Sequence, residues 1–207
     1  TDATRAIRES GAQLLTLVND ILEVARAEAG RLELDIQPVD PRAALTEIEP
    51  TLRGLAGARD ISLTVRMPRS LPKVATDPRR LREVVLNLVD NAVKYTAAGG
   101  SVSVEARSVA GAVEVTVTDT GVGIPDEVGD RIFEPFYRVH GTRTQHGEPS
   151  TGLGLALSHR LVAALGGDLR YESAESGTTF RMTLPVAAPS PSAQRAQRAP
   201  VAAASRR

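Results

Sequence analysis

Asp119-Thr-Gly-Val-Gly-Ile-Pro125 closes an alternating run in which Val113, Val115 and Val117 are apolar, and it opens an irregular stretch. A strand that ends in a carboxylate and a glycine turn delivers that carboxylate to a fixed place. Gly121 and Gly123 permit positive φ and close backbone approach, so a flat ligand can pack on the turn while ionised Asp119 accepts a hydrogen bond from it. The exocyclic amine of a purine is the natural donor. Asp-Thr-Gly strings are also common in plain surface turns, so this stretch alone leaves both readings open.

Working outward, Val102 and Val104 alternate in a preceding strand that meets the Val113 run through a tight turn at Gly111, which reads as a hairpin. Upstream, Asp77-Pro78 is a helix start, with Asp77 as N-cap and Pro78 at the first helical position. The helix from 78 to about 96 gathers Leu81, Val84, Val85, Leu88 and Val89 on one side. Downstream, residues 126–151 read as a long irregular connection holding Phe133, Phe136 and Tyr137, a length that in a compact domain marks a functional lid. A helix at about 153–165 and strands near 168–173 and 178–184 follow.

Toward the N-terminus, residues from about 5 to 29 form one predicted helix in which Ile7, Gly11, Leu14, Val18, Ile21 and Ala25 make a 3.5-residue seam. Such a seam belongs either to a core helix or to a helix that docks a partner helix. Leu32, Leu34 and Ile36 alternate as a strand closed by Pro38 and Pro41. A helix from Pro41 to about Arg59 must kink or restart at Pro50, and Ile61, Leu63 and Val65 then alternate, followed by a short strand at Val74 and Ala75. From Val186 onward the chain is Ala, Pro, Ser, Gln and Arg, the composition of a disordered tail.

Composition narrows the functional classes. At 207 residues the chain holds one domain of ordinary size with extensions. Lys and Arg together number 25, as do Asp and Glu, so the formal net charge is zero and nothing points to nucleic acid or a lipid surface. The absence of cysteine removes disulfide frameworks and cysteine-type zinc sites, and it suits a cytoplasmic setting. No apolar run approaches the roughly 20 residues of a membrane span. The chain starts at Thr1 without a signal-peptide pattern, and the missing Met reads as the mark of a fragment.

Two further groups carry chemistry. Glu83, Asn87, Asn91 and Lys94 fall at spacings of four, four and three on the helix face opposite its apolar side. Asparagine is a poor helix-interior residue, so two in a row on one face argue against a merely solvated surface. Their carbonyl oxygens suit a hard cation such as Mg²⁺, which shares its shell with phosphates, and Lys94 would stand near those phosphates as a point charge. Tyr95 lies either against a base or in the core. The second group, Thr151-Gly-Leu-Gly-Leu155, precedes a helix whose N-terminus can hold phosphate. It is neither a Walker loop, lacking Lys-Ser/Thr, nor a dinucleotide fingerprint, because Leu157 stands at the third glycine position.

Taken in order, these stretches resemble a known family. Leu81-Arg-Glu-Val-Val-Leu-Asn-Leu-Val-Asp-Asn-Ala-Val-Lys-Tyr-Thr96 resembles the N box of sensor histidine kinases, Asp119 to Pro125 their first glycine box, Phe133-Glu-Pro-Phe-Tyr137 their F box, and Thr151 to Leu155 their second glycine box. The resemblance implies an α+β Bergerat fold, a two-layer sandwich of a mixed, mostly antiparallel sheet with helices on one face, preceded by a long coiled-coil-type helix. It implies that ATP lies between the N-box helix and a mobile lid. By the family pattern Asn91 holds Mg²⁺ with help from Asn87, Lys94 meets phosphate, and Asp119 meets the adenine amine. Gly123 lies beside the base, Gly152, Leu153 and Gly154 line the triphosphate, and Thr178 supports the adenine pocket; Tyr95, Gly121, Ile124, Phe133, Thr151 and Leu155 also belong to the ATP site. On the helix face of Asn87 and Asn91, Glu83 is the carboxylate near enough to act as a base.

Asn19-Asp-Ile-Leu22 and Glu28-Ala-Gly-Arg-Leu32 resemble the second helix of the family's dimerisation domain and its exit. The implied division is residues 1–30 for that helix, 31–186 for the catalytic domain and 187–207 for a disordered tail. The implied partners are ATP, an acceptor-histidine helix of the parent kinase, a response-regulator receiver domain and a second copy joined through the N-terminal helix. The sequence departs from a whole kinase in lacking the acceptor helix: Gly, Gly and Arg follow His140, His146 and His159 where the family has an acid. Ser150 stands where the family commonly has glycine. The competing enzyme classes are ATP-driven machines of the gyrase, chaperone and mismatch-repair type and an anti-sigma serine kinase, which lacks the seam helix. A nucleotide-binding docking module without kinase activity is the alternative from another class.

Overall fold

The computed structural model describes residues 2–139, 151–173 and 176–188. Twelve stretches of regular structure follow one another: α1 (Asp2–Glu28), β1 (Gln37–Val39), α2 (Pro41–Gly57), β2 (Ser62–Arg66), β3 (Val74–Thr76), α3 (Pro78–Tyr95), β4 (Ser101–Val109), β5 (Ala112–Asp119), a 3₁₀ segment (Asp126–Phe133), α4 (Gly154–Ala164), β6 (Asp168–Ser173) and β7 (Thr178–Pro185). The main sheet has five strands in the order β2-β4-β5-β7-β6. β2 and β4 run parallel and every other neighbouring pair is antiparallel. The sheet is mixed and mostly antiparallel, as expected.

Strand alternation explains the layering. In β7 the buried positions are Thr178, Phe180, Met182 and Leu184, and in β5 Val113, Val115 and Val117 are likewise buried. These side chains meet the apolar faces of α3 and α4, while Thr116, Thr118, Thr179 and Arg181 line the other face of the sheet. Leu81, Val84, Val85, Leu88, Val89 and Val93 of α3 are fully buried, so this helix is the centre of the second layer. Burying a side chain of this size typically contributes about 1.5–3 kcal/mol, which makes α3 the costliest element to displace.

The start of α3 is fixed by Asp77, whose Oδ1 accepts from the Arg79 and Arg80 backbone N–H groups at 2.8 and 3.4 Å. Its Oδ2 accepts from the Asp35 N–H at 3.1 Å, tying the chain that leaves α1 to the same cap. Burial raises the Asp77 carboxyl's pKa, but these three N–H donors and Arg79 outweigh it and hold it below its ordinary value. The second Asp-Pro pair works the same way: Asp40 caps α2 through the Arg42 N–H at 2.9 Å.

Four expectations change. The strand read at Leu32–Ile36 instead lies at Gln37–Val39, pairing with β3 in a small separate sheet, with Pro38 opposite Ala75. Leu32 and Leu34 still pack on the core from an extended segment without ladder partners. α2 runs through Pro50 as one helix, and Asp126–Phe133, read as irregular, forms 3₁₀ turns broken at Gly129. Val186 and Ala187, read as part of the tail, are bonded into the fold, the Val186 N–H donating to the Gly111 carbonyl and the Ala187 N–H to that of Lys73, while residues 189–207 lie outside the described residues.

α1 packs along α4 through Leu17 and Val24. Glu23 pairs with Arg80 of α3 at 2.7 Å and Glu28 with Arg160 of α4 at 2.6 Å. The seam residues Leu14, Val18 and Ile21 face outward with Leu15 and Leu22 and remain exposed. Among the described residues no helix is long and apolar enough to cross a membrane.

Candidate functional site

A cleft opens where the end of β5, the face of α3 and the start of α4 converge. Its first hollow is lined by Asn91, Tyr95, Asp119, Gly123, Ile124, Gly152, Gly154, Leu155 and Thr178. Its second is lined by Glu83, Asn87, Asn91, Lys94, Thr151 and Gly154, so Asn91 and Gly154 belong to both. The residues that sequence spacing singled out on three separate elements therefore meet in one place.

Asp119 is built into the backbone at the deep end of the first hollow. It is 7% exposed, and its Oδ1 accepts from the Gly121 N–H at 2.8 Å and the Thr178 N–H at 3.2 Å. Both hydrogen bonds fall on one oxygen, which leaves Oδ2 for a ligand. Burial pushes the carboxyl above its ordinary value of 3.8, against the pull of those two N–H groups. Gly121 allows the turn to close: a Cβ there would stand 2.6 Å from the Tyr95 carbonyl oxygen and 2.8 Å from Asp119 Oδ1. Gly177, which opens the Gly-Thr-Thr-Phe stretch, has φ +101° and brings the Thr178 N–H to Asp119. Ser173, which no motif flagged, accepts from the Ile124 N–H at 2.6 Å and donates to the Gly177 carbonyl at 3.2 Å, clamping the glycine turn to the start of β7.

The second hollow is lined by side chains. Asn87 Nδ2 donates to Ser158 Oγ of α4 at 2.7 Å, while its Oδ1 lies so close to α4 that a Cβ on Gly154 would come within 2.3 Å of it. Asn91 Nδ2 is buried with no hydrogen-bond partner among the described residues. Lys94 pairs with Asp90 one turn earlier, and Glu83 accepts from Arg80 at 2.8 Å. Glu83 is not alone as a carboxylate here: Asp90 and, from α1, Asp20 share the hollow. Burial raises the Asp20 carboxyl above its ordinary value, and the charges of Glu83 and Glu23 add to it.

Three expected residues take other places. Leu153 is wholly buried in the core, so only its backbone can serve the cleft. Gly121 shapes the turn from behind. Phe133 does not line the cleft; its ring stacks on His159 at 4.5 Å and meets Tyr171 edge-on, while its neighbours Ile132 and Tyr137 line the cleft instead. The F-box stretch does reach the glycine loop, because the Phe136 N–H donates to the Gly152 carbonyl at 3.0 Å. Phe180, which also lines the first hollow, was hidden in sequence as one apolar residue of a strand. His140, His146 and Ser150 lie outside the described residues.

With this geometry in place, residues 76–188 match the family described as histidine kinase-, DNA gyrase B-, and HSP90-like ATPases, which is more than half of the chain. The chain belongs to that family. Within it, the catalytic domain of sensor histidine kinases is the branch it matches. The mycobacterial sensor histidine kinase MprB is 31% identical, with a TM-score of 0.63 over 73% of this chain and 97% of that one. The full-length ShkA structure in complex with AMPPNP is 36% identical with a TM-score of 0.77, covering 89% of this chain and 39% of that one. The histidine protein kinase DivJ of Caulobacter vibrioides is 38% identical over 181 residues, 87% of this chain and 30% of that protein. The chain spans about a third or less of the length of the curated relatives it matches. This histidine-kinase domain thus keeps the order of boxes read from its sequence.

Proposed function

We propose that this chain binds ATP and serves as the catalytic domain of a histidine kinase, passing the γ-phosphoryl group to a histidine on a dimerisation helix of the parent protein. The observation that carries the reading is Asp119: a buried carboxylate lining the first hollow, with one oxygen held by two backbone N–H groups and the other left for a ligand. That arrangement accepts the adenine amine and rejects a base that offers an acceptor there. The triphosphate then runs from the first hollow to the second, over the backbone of Thr151 to Leu155 and the N-terminus of α4, whose leading N–H groups lack helical acceptors.

Asn91, with Asn87, would hold Mg²⁺. The donor set fits, because both asparagines line the second hollow and amide oxygens suit a hard cation that keeps several waters. When bound, Mg²⁺ draws charge from the phosphate oxygens. The chain's own residues align the γ-phosphorus so that an imidazole nitrogen attacks in line, a P–N bond forms, the bond to the bridging oxygen breaks and ADP leaves. Glu83 and Asp20 stand where the attacking imidazole can shed a proton.

The ammonium of Lys94, held by Asp90, is poised one bond exchange away from phosphate. His159 is an unsuitable acceptor, since its ring is stacked on Phe133. α1, as the second helix of the dimerisation domain, would pair with a second copy through exposed Leu14, Val18 and Ile21, and the phosphorylated histidine would serve a response-regulator receiver domain. We read residues 31–186 as the catalytic unit, the setting as cytoplasmic, and nucleic acid as no partner. The test adds γ-labelled ATP and Mg²⁺ to the chain with and without a peptide of the parent's acceptor helix. Acid-labile, alkali-stable label on the peptide is expected. Label on the chain alone would move the acceptor into this chain, and absence of ATP binding by calorimetry would refute the reading.

A further inference from the structure

The amide of Asn87 can present either end to the cleft, and the ends do opposite work: the oxygen attracts a cation and the NH₂ repels it. Its partner in the fold is Ser158, on the second turn of α4 and 2% exposed, whose Oγ accepts from Asn87 Nδ2 at 2.7 Å. With Nδ2 committed to that hydroxyl, Oδ1 is the atom left on the side of Gly154, the first residue of α4. That placement suits an oxygen rather than an NH₂, because the first N–H groups of a helix are unpaired donors and carry positive potential. Gly154 leaves room for it, since a Cβ there would stand 2.3 Å from Oδ1, 3.0 Å from Cγ and 3.1 Å from Nδ2.

We propose that Ser158 is a positioning residue that anchors the Asn87 amide through Nδ2 while the N-terminus of α4 favours Oδ1 at the cleft, so that the carbonyl oxygen faces the metal-bound phosphates and the domain prefers magnesium nucleotide over metal-free nucleotide. This inference rests on the nucleotide reading above, and it adds a determinant outside the N box. Ser158 borders the second hollow, and it acts on the metal-bound phosphates through Asn87. One helical turn separates Ser158 from Gly154, so the same short stretch of α4 both receives phosphate and holds the amide that meets the metal.

The test measures affinity for ADP by calorimetry on the full chain, in Mg²⁺ and in EDTA, for wild type, Ser158→Ala, Asn87→Ala and the double variant, with thermal melts of each. Wild type is expected to gain affinity on adding Mg²⁺, and Ser158→Ala to lose about fivefold of that gain while its EDTA affinity holds within about twofold. In the Asn87→Ala background, Ser158→Ala should add nothing, which is the signature of action through that amide. Ser158→Thr, which keeps the hydroxyl, should restore the Mg²⁺ gain. Equal losses in Mg²⁺ and EDTA would reduce Ser158 to a packing residue and overturn the proposal. An unchanged Mg²⁺ gain in Ser158→Ala, or a wild type that gains nothing from Mg²⁺, would also overturn it while leaving nucleotide binding in place. A wild type that binds no ADP at all would instead sink the nucleotide reading itself.

Discussion

The two ends of the cleft are made of different material. Around Asp119 the work is done by backbone: N–H groups of Gly121 and Thr178, the Tyr95 carbonyl against Gly121, and a serine that joins two loop segments. Around Asn87 and Asn91 it is done by side chains held by other side chains, Asn87 by Ser158, Lys94 by Asp90, and Glu83 by Arg80. Groups fixed by the main chain cannot be retuned without disturbing the fold, whereas groups fixed by rotamers can exchange partners as charge arrives. The first hollow is thus rigid and the second adjustable.

The largest expected effect concerns water at the adjustable end. Asn87 is an amide where hydrolysing relatives are expected to carry a general-base glutamate, and such a base is typically worth about 10²- to 10⁴-fold. Basal ATP hydrolysis should therefore be very slow, and a coupled phosphate assay giving steady turnover on the order of 1 s⁻¹ would break the contrast in favour of an ATP-driven machine.

Next in size is the rigid end itself. Asp119→Ala removes a hydrogen bond to a charged acceptor, typically about 1.5–3 kcal/mol, so calorimetry should show ATP weakened at least about tenfold. Asp119→Asn sharpens the point, because stability and affinity should move oppositely. The folded carboxyl's pKa is raised by burial, so its contribution to stability is fully present below the ordinary value of 3.8 and is lost as pH rises through the raised value. At neutral pH the ionised group thus costs stability, and the neutral amide should melt no lower while binding ATP less tightly. For the same reason wild-type affinity should fall on acidification before pH 3.8 is reached, since the ionised form is the stronger acceptor for the amine.

A matched pair of glycines follows. In Gly121→Ala the new Cβ meets backbone at 2.6 Å, and overpacking of this kind costs about 1–3 kcal/mol, visible as a lowered melting temperature. In Gly154→Ala it meets only the movable end of Asn87, so the melt should hold while magnesium-nucleotide affinity drops. Similar melting losses in both would erase the distinction between the ends. The smallest effect is expected of Arg80→Ala, which cuts the tie of α1 to α3 through Glu23 and releases Glu83. Partly exposed pairs of this type contribute about 1 kcal/mol or less, so the readout is faster proteolysis within α1 rather than global unfolding.

Much of this was legible because local chemistry and fold agree. Asp77-Pro78 announces α3 and its apolar stripe fixes which face is buried; the alternation ending at Asp119 and the turn at Gly111, with φ +73°, mark the hairpin. What stayed hidden depends on partners distant in sequence. Leu32, Leu34 and Ile36 have a strand's alternation, but ladder bonds exist only where β3 lies opposite, at Gln37–Val39. Ser158 and Ser173 look like any helix or strand serine until α4 meets α3 and β6 meets the glycine turn. Phe133 could have faced either side of its 3₁₀ segment, and composition cannot reveal that Val186 and Ala187 use their backbone N–H groups.

The parallel pairing of β2 with β4 has a kinetic consequence. Ser62 lies opposite Ser101, and everything between them, including β3 and the whole of α3, forms the crossover. Parallel strands cannot zip from a turn, so this edge of the sheet closes only after the intervening loop has collapsed, a step slowed by its chain entropy. Since α3 bears Asn87 and Asn91, the second hollow takes shape in the same event that completes the sheet edge. A chain released from the ribosome before residue 101 would expose the apolar face of α3 with no strand to receive it, and refolding rates of the isolated domain should be governed by this closure rather than by the faster β4-β5 hairpin.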